Sequence, residues 1–497
     1  MLISHGAAMS FDRVFPPASI PGRLLHWLLC SLVCRLGCNL AAKRRPPARL
    51  SRALSICLLS LLPLVAEAQS IRLLRDADIE HGLAELAQPV LQAAGLNPRR
   101  VRILVVDDSG FNAFVIDQRA IFVNYGLILK AETPEMLQAV LAHEAAHITN
   151  GHIGRRGQNA RSASTAAGFG TALALLAAAA GGGEAAFGIA VGTQSSALRS
   201  FLSHTRAEEA SADRSALAFL TRAGINPEGM VALHRIFAGQ EVLGSAHQDP
   251  YMRSHPLTRD RIRAAEAYVA SLGPGARPGS EPGAVNSPDA AYWLARVKGK
   301  LSAFTRAPSW SKRRLQSEGY ADVKRMRAAI VHHRQNDLAG ARREMQALLG
   351  ARPQDAFYHE LWGQILYENR RWSEAEAAFG RAAALAPNEP LILSGLGRAQ
   401  LSSGRPGAAL VTMEKARDLD FRNATLLRDM SLAYAQTKQS GMAALVTAER
   451  YALQGRLKDA GPHAQRATGL LPNGSPAWRR AQDVLIAFEQ DEKRKKK

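Results

Sequence analysis

Apolar residues recur along this chain with two periods, and each period marks a different part of it. Over residues 76–94, Ile79, Leu83, Leu86, Val90 and Leu91 fall three or four apart, the spacing of one helix face. Residues 101–106 form a nearly unbroken β-branched run and predict a strand. Residues 111–116 and 120–123 predict two more, joined by Asp117-Gln118-Arg119. A second helix should start at Thr133-Pro134, where a hydroxyl caps and proline takes the first helical position. Met136, Leu137, Val140, Leu141 and Ile148 carry its apolar stripe, and Gly151 ends it. A third helix follows residue 205, with Ala212, Ala216, Leu217 and Leu220 inward and Gly224 and Pro227 beyond its end.

Between the second and third helices, residues 162–198 are rich in alanine and glycine. Residues 169–180 are apolar, Gly181-Gly182-Gly183 breaks them, and residues 187–191 resume. Each half is short of the ~20 residues that span a bilayer as a helix. A lid, a membrane-dipping hairpin and packed small-residue helices all fit this pattern. Residues 273–289 read as a Pro/Gly linker, and residues 290–321 as bridging helices.

From residue 322 to 490 the chain repeats every 34 residues. Gly363, Ala375, Phe379, Ala382 and Pro387 recur 34 positions later as Gly397, Ala409, Met413, Ala416 and Phe421. Thirty-four earlier stand Ala329, Ala341, Met345, Leu348 and Pro353. Small residues at helix crossings with a bulky residue between them are the tetratricopeptide pattern, which stacks into a solenoid with a concave face. A compressed final pair runs over residues 442–472, and residues 491–497 form a basic tail expected to be disordered.

The second helix also carries chemistry. His143-Glu144-Ala145-Ala146-His147 places two imidazoles one turn apart on one face, as two ligands of one zinc ion would stand, with Glu144 beside them. A hydrolytic zinc takes a third protein ligand and leaves a fourth position for water. The third helix offers Glu209 and Asp213, again i and i+4. Two satisfied core histidines and a solvated acid pair would be the plain alternative.

Taken together, H-E-x-x-H and Arg206-Ala207-Glu208-Glu209-Ala210-Ser211-Ala212-Asp213 resemble the metalloproteases of the HtpX and CAAX-prenyl-protease clan. Within it the chain is most similar to the periplasmic BepA-like proteases that carry tetratricopeptide repeats. Asn112-Ala113-Phe114 with residues 121–127, and Ser254-His255-Pro256 with Arg261-Ile262, fit the same resemblance. It implies His143, His147 and Glu209 as ligands of one zinc ion per chain and Glu144 as general base. It also implies that Asp213 orients a ligand histidine. The implied fold is mostly α: a zincin-type α+β protease domain with a small β-sheet over residues 69–272, followed by the α-helical solenoid. The strand holding Asn112, Ala113 and Phe114 is a candidate to bind substrate as an added strand. A plain sheet under the metal helix is the alternative. His255, His204 and Arg259 are candidate oxyanion donors. His255 is also a candidate fourth ligand that keeps the enzyme latent. His152, five residues after His147, is expected at the surface.

Charge changes the picture little. The net charge of +20 is spread along the chain, and no basic-plus-aromatic motif for nucleic acid stands in it, so a solvated surface or contact with anionic lipid fits better. Residues 1–68 hold all four cysteines and read as an export region: Lys43-Arg44-Arg45, an apolar core over residues 53–65, then Ala66-Glu67-Ala68. Cleavage there would start the mature chain near Gln69 in the periplasm of a Gram-negative bacterium. No methionine lies between Met9 and Met136, so a start downstream, ahead of the basic stretch, is expected at a non-methionine codon. The expected function is a zinc-dependent endopeptidase that cleaves misfolded or stalled outer-membrane proteins, with the repeats docking substrate or assembly machinery. The alternative is a chaperone or assembly factor acting mainly through the repeats.

Overall fold

Asp76 starts the first long helix by accepting a hydrogen bond from the Ile79 amide, as an N-cap carboxylate should. That helix, α1 (Ala77–Ala93), lies beside a four-stranded sheet in a computed structural model that describes residues 72–154, 205–238, 250–273 and 288–495. The expected export region, the Ala/Gly-rich residues 162–198, His204 and most of the linker lie outside the described residues. Every described residue belongs to one compact unit.

The strands are β1 (Leu73–Leu74), β2 (Arg102–Val106), β3 (Ala113–Asp117) and β4 (Ala120–Asn124), in the order β1-β2-β4-β3. β2 and β4 run parallel, and β3 returns antiparallel along β4 as an edge strand. β3 begins later than its apolar run suggests. Phe111 leaves the sheet because its ring packs edge-on against Phe237 and Tyr251, with centroids 4.8 and 5.6 Å away. β4 passes directly into α2 (Tyr125–Lys130). The turn needs glycine at 126, because a Cβ there would stand 1.9 Å from the Ser109 carbonyl oxygen.

Helix α3 (Pro134–Thr149) starts where expected, with Thr133 accepting from the Met136 amide, and Gly151 just past its end has φ +69°. Beside it run α4 (Arg206–Arg222), α5 (Glu228–Phe237), α6 (Pro250–Ser254) and α7 (Arg259–Ser271). α4 opens with a capping box in which Thr205 and Glu208 satisfy each other's backbone amides. Glu208 is thus occupied at the helix end, whereas Glu209 points into the core.

The bridging segment comprises α8 (Pro288–Thr305) and α9 (Pro308–Arg314). Leu294, Val297 and Leu301 of α8 enter the core of the protease domain, while Ala303 and Phe304 enter that of the first repeat. α8 therefore belongs to both cores. Ten helices follow in antiparallel pairs: α10 (Ala321–Arg334), α11 (Leu338–Ala351), α12 (Ala356–Glu368), α13 (Trp372–Leu385), α14 (Pro390–Ser402), α15 (Pro406–Leu419), α16 (Ala424–Gln436), α17 (Ser440–Leu453), α18 (Leu457–Leu470) and α19 (Pro476–Lys495). Ala341, Ala375 and Ala409, one per repeat, are each fully buried. The 34-residue glycines mark close crossings: a Cβ on Gly397 would stand 2.5 Å from Met413 Cγ. The tail differs from expectation. α19 continues to Lys495, so most of residues 491–497 is helical. No helix among the described residues is long and apolar enough to cross a membrane.

Salt bridges tie the solenoid to the protease domain. Arg75 and Arg102 both reach Asp420, at 2.8 and 2.9 Å. Arg296 on α8 pairs with Asp78 at 2.7 Å and Asp355 at 2.6 Å, and Lys300 with Asp76 at 2.8 Å. Arg296 and Lys300 are buried, so these charges are held in place by partners on three segments.

Candidate metal centre

His143 and His147 project from one face of α3 into a fully buried space, and α4 brings Glu209 to the same space. The turn after α6 brings His255. One ligand atom from each of the four lies within 4.8 Å of all the others. The separate distances are more telling. His143 Nε2 stands 3.0 Å from His147 Nε2, 3.3 Å from Glu209 Oε2 and 3.3 Å from His255 Nδ1. Glu209 Oε1 stands 3.4 Å from His147 Nε2 and 3.1 Å from His255 Nδ1. Ligands about 2.0–2.1 Å from a tetrahedral zinc would lie roughly 3.3–3.4 Å apart. Five donor separations, counted through both oxygens of Glu209, come near that spacing, and His255 supplies a fourth donor.

The surroundings orient these groups. His143 Nδ1 donates to Asp213 Oδ1 at 2.9 Å, which turns Nε2 toward the centre. His147 Nδ1 stands 2.9 Å from Nδ1 of His152. Arg261, on α7, donates to both oxygens of Asp213 at 2.6 and 2.8 Å, and its Nη1 lies 2.9 Å from Glu209 Oε2. His234 on α5 stands 3.5 Å from Asp213. Burial alone would depress His143, but Glu209 and Asp213 outweigh it and push the ring up to about 10. For His147 burial wins and holds the ring well below its ordinary value. Burial would raise Glu209, yet His255, His143 and Arg261 hold it well below the usual carboxylate range. Asp213 is depressed against burial in the same way, by Arg261 first.

Charge count gives a second test of fit. Glu144, Glu209 and Asp213 are all buried beside the single buried guanidinium of Arg261. A divalent cation would bring these four groups to neutrality, which a low-dielectric site requires. Donor type, spacing and charge all suit a metal such as zinc.

Residues 74–269 match the family described as Peptidase family M48. Over those residues the chain carries a metalloprotease domain similar to that family. It is 23% identical over 402 residues to the beta-barrel assembly-enhancing protease of Escherichia coli (strain K12), covering 79% of each chain. It is 30% identical over 213 residues to the putative beta-barrel assembly-enhancing protease of Vibrio cholerae, covering 40% of this chain and 43% of that one. The solved structure of Pseudomonas aeruginosa pilF overlaps 38% of the chain at 17% identity, with a TM-score of 0.28.

Within this domain the sequence candidates fall at different places. His143, Glu144, His147, Glu209, Asp213 and His255 converge. Asn112 lies just before β3 and its Oδ1 accepts from Ser254 Oγ at 3.2 Å; Ala113 and Phe114 open β3. Arg259 is exposed at the start of α7. His152 corrects the sequence reading: it is 1% exposed and touches His147. The helical count to i+5 failed because α3 has already ended, and Gly151 in the left-handed region swings the next residue back beneath the ring. Arg261 and His234 had no assigned role. Two carboxylates bound for a buried site were the available signal that a cation must join them.

Proposed function

We propose that this protein is a periplasmic zinc endopeptidase that cleaves misfolded or stalled outer-membrane proteins, with its repeats docking substrate or the assembly machinery. The observation that supports it most is the buried set of His143, His147, Glu209 and His255, whose ligand atoms lie within 4.8 Å of one another, with Glu144 Oε1 3.4 Å from His255 Nε2. The names of the relatives support the outer-membrane role, and the export pattern of residues 1–68 supports the compartment. Zinc held by His143, His147 and Glu209 would supply Lewis acidity, lowering the pKa of water toward ~7 and polarising a scissile carbonyl. Glu144 then takes the proton of the attacking water and delivers it to the leaving amine. Asp213 keeps His143 in the tautomer that presents Nε2, and Arg261 holds Asp213 and Glu209 in place.

His255 gives this reading a resting state. Its Nδ1 takes the corner that hydrolysis needs for water, so the regulatory role fits this arrangement better than oxyanion binding. Its Nε2 lies 3.1 Å from the carbonyl oxygen of Ala113, at the edge strand proposed to receive substrate. One ring therefore covers both the metal corner and the first backbone acceptor of the strand. Activity would begin when the segment carrying His255 moves away. Low basal proteolysis in that resting state would leave room for the second reading, an assembly factor acting through the repeats.

Metal analysis and casein digestion by purified residues 69–497 test the proposal. One zinc per chain is expected, with Glu144→Gln keeping the metal and losing cleavage by at least ~100-fold. A metal-free protein, or cleavage unchanged in Glu144→Gln, overturns it. His255→Ala should raise basal cleavage; a fall would assign the ring to the oxyanion instead. If Glu144→Gln retains outer-membrane assembly in cells, the repeat-based reading takes precedence.

A further inference from the structure

A separate cleft lies at the N-terminal end of the metal helix. A cleft of about 490 Å³ opens between the start of α3, the bridging helices α8 and α9, and α10 of the first repeat. Four cationic side chains line it: Lys298, Arg306, Arg314 and Arg327. Two acids line it, Glu132 and Glu318. Glu318 is already taken by Arg327 Nη1 at 2.8 Å, and Glu132 is exposed at the rim. Pro134, the first residue of α3, also lines the cleft and adds the positive end of a 16-residue helix.

This charge is not simply spread over a solvated surface. Arg327 is 7% exposed, and its Nε and Nη2 have no hydrogen-bond partner among the described residues. Buried charged donors without acceptors are costly, and folded proteins normally cover them. Burial also pulls Lys298 below its ordinary pKa despite Glu132 nearby. Lys298 spends its ammonium on the backbone carbonyl of Ala131, at 2.5 Å, rather than on a carboxylate. Arg314 lies over the Trp310 ring at 4.3 Å, which holds its guanidinium at the rim. The cleft is within the size range of small-ligand pockets, and Leu129, Leu294 and Trp310 give it apolar walls.

We propose that this cleft binds a phosphate-bearing ligand, with Arg306 and Arg314 gripping its oxygens at the mouth and Lys298 and Arg327 supplying charge from the wall. Two uncompensated positive charges match a phosphate dianion better than a single carboxylate, and guanidinium forks suit phosphoryl oxygens. The remainder of the ligand would lie against the apolar wall. Either a lipid headgroup or a soluble phosphate ester carries this chemistry. A ligand here would touch the bridging helices, the first repeat and the start of the helix that bears His143 and His147. The site stands independently of the protease reading.

The test is calorimetric titration of the purified full chain with inorganic pyrophosphate at fixed ionic strength. A second arm is flotation with vesicles of phosphatidylglycerol or of phosphatidylcholine. Saturable binding of one pyrophosphate per chain is expected. The rim pair Arg306→Glu/Arg314→Glu should weaken it at least tenfold with melting unchanged, and Arg327→Met should weaken it from the wall. A remote charge reversal, Lys458→Glu/Arg466→Glu, should leave it intact. Capture by phosphatidylglycerol vesicles that the rim pair abolishes would assign the ligand to a lipid headgroup. Pyrophosphate binding without such capture would assign it to a soluble phosphate. Absence of saturable binding in both arms overturns the proposal. So does equal loss in the remote reversal, or no loss in either cleft variant.

Discussion

His143 and His147 present the same ring to the same centre, yet different bases hold them. Behind His143 stands the Asp213 carboxylate, itself gripped by Arg261; behind His147 stands the imidazole of His152. A group behind a ligand histidine commonly accounts for 10–100-fold in metal affinity. His152→Leu should therefore weaken zinc binding roughly 10–100-fold, measured by competition with a chelator, while His152→Asn, which keeps a polar partner, should restore much of it. Equal affinity in both variants would mean that His152 only fills space. At this scale the ligand pair was readable because i and i+4 on a helix fixes a shared face. His152 was not, since its position depends on a left-handed residue outside the helix.

At the scale of elements, β3 is the piece whose position matters most. Asn112 spends its carbonyl on the Asn124 amide, so by strand alternation Ala113 turns its own backbone groups away from β4, toward His255. Ala113→Pro removes an amide on that open side without cutting the β3–β4 ladder. It should lower peptide cleavage several-fold and leave zinc content unchanged, checked by steady-state kinetics beside metal analysis. Unchanged kcat/KM would dismiss the added-strand idea. That β3 is a strand was legible in its apolar run. Its first residue was not, because aromatic packing around Phe111 draws that ring out of the sheet.

Among the described residues of the whole molecule, ion pairs as well as apolar contacts join the protease domain to the repeats. Glu389 caps α14 near Glu80; burial first, and Glu80 second, push its carboxyl up to about 7 from 4.5. Above pH 7 the ionised group penalises the folded state in full. As pH falls from 7 to 4.5 the folded protein takes up a proton before the unfolded chain does, so stability rises. The change is about 3 kcal/mol at most. Thermal melts from pH 8 to 5.5 should show wild type gaining on Glu389→Gln, which should be the more stable at pH 8. A constant gap across that range would show that Glu389 does not titrate there.

Local pattern alone determined the helix faces, the 34-residue register and the pairing of His143 with His147, because each depends on neighbours within a turn or a repeat. Tertiary structure decided the rest. Only the packing of α3, α4 and the turn after α6 sets His255 at the fourth corner and Arg261 against two carboxylates. Only the packing of the repeats on the protease domain brings Asp420 to Arg75. Those contacts join residues far apart in the chain, and burial, which makes each charge require a partner, selects among them in three dimensions.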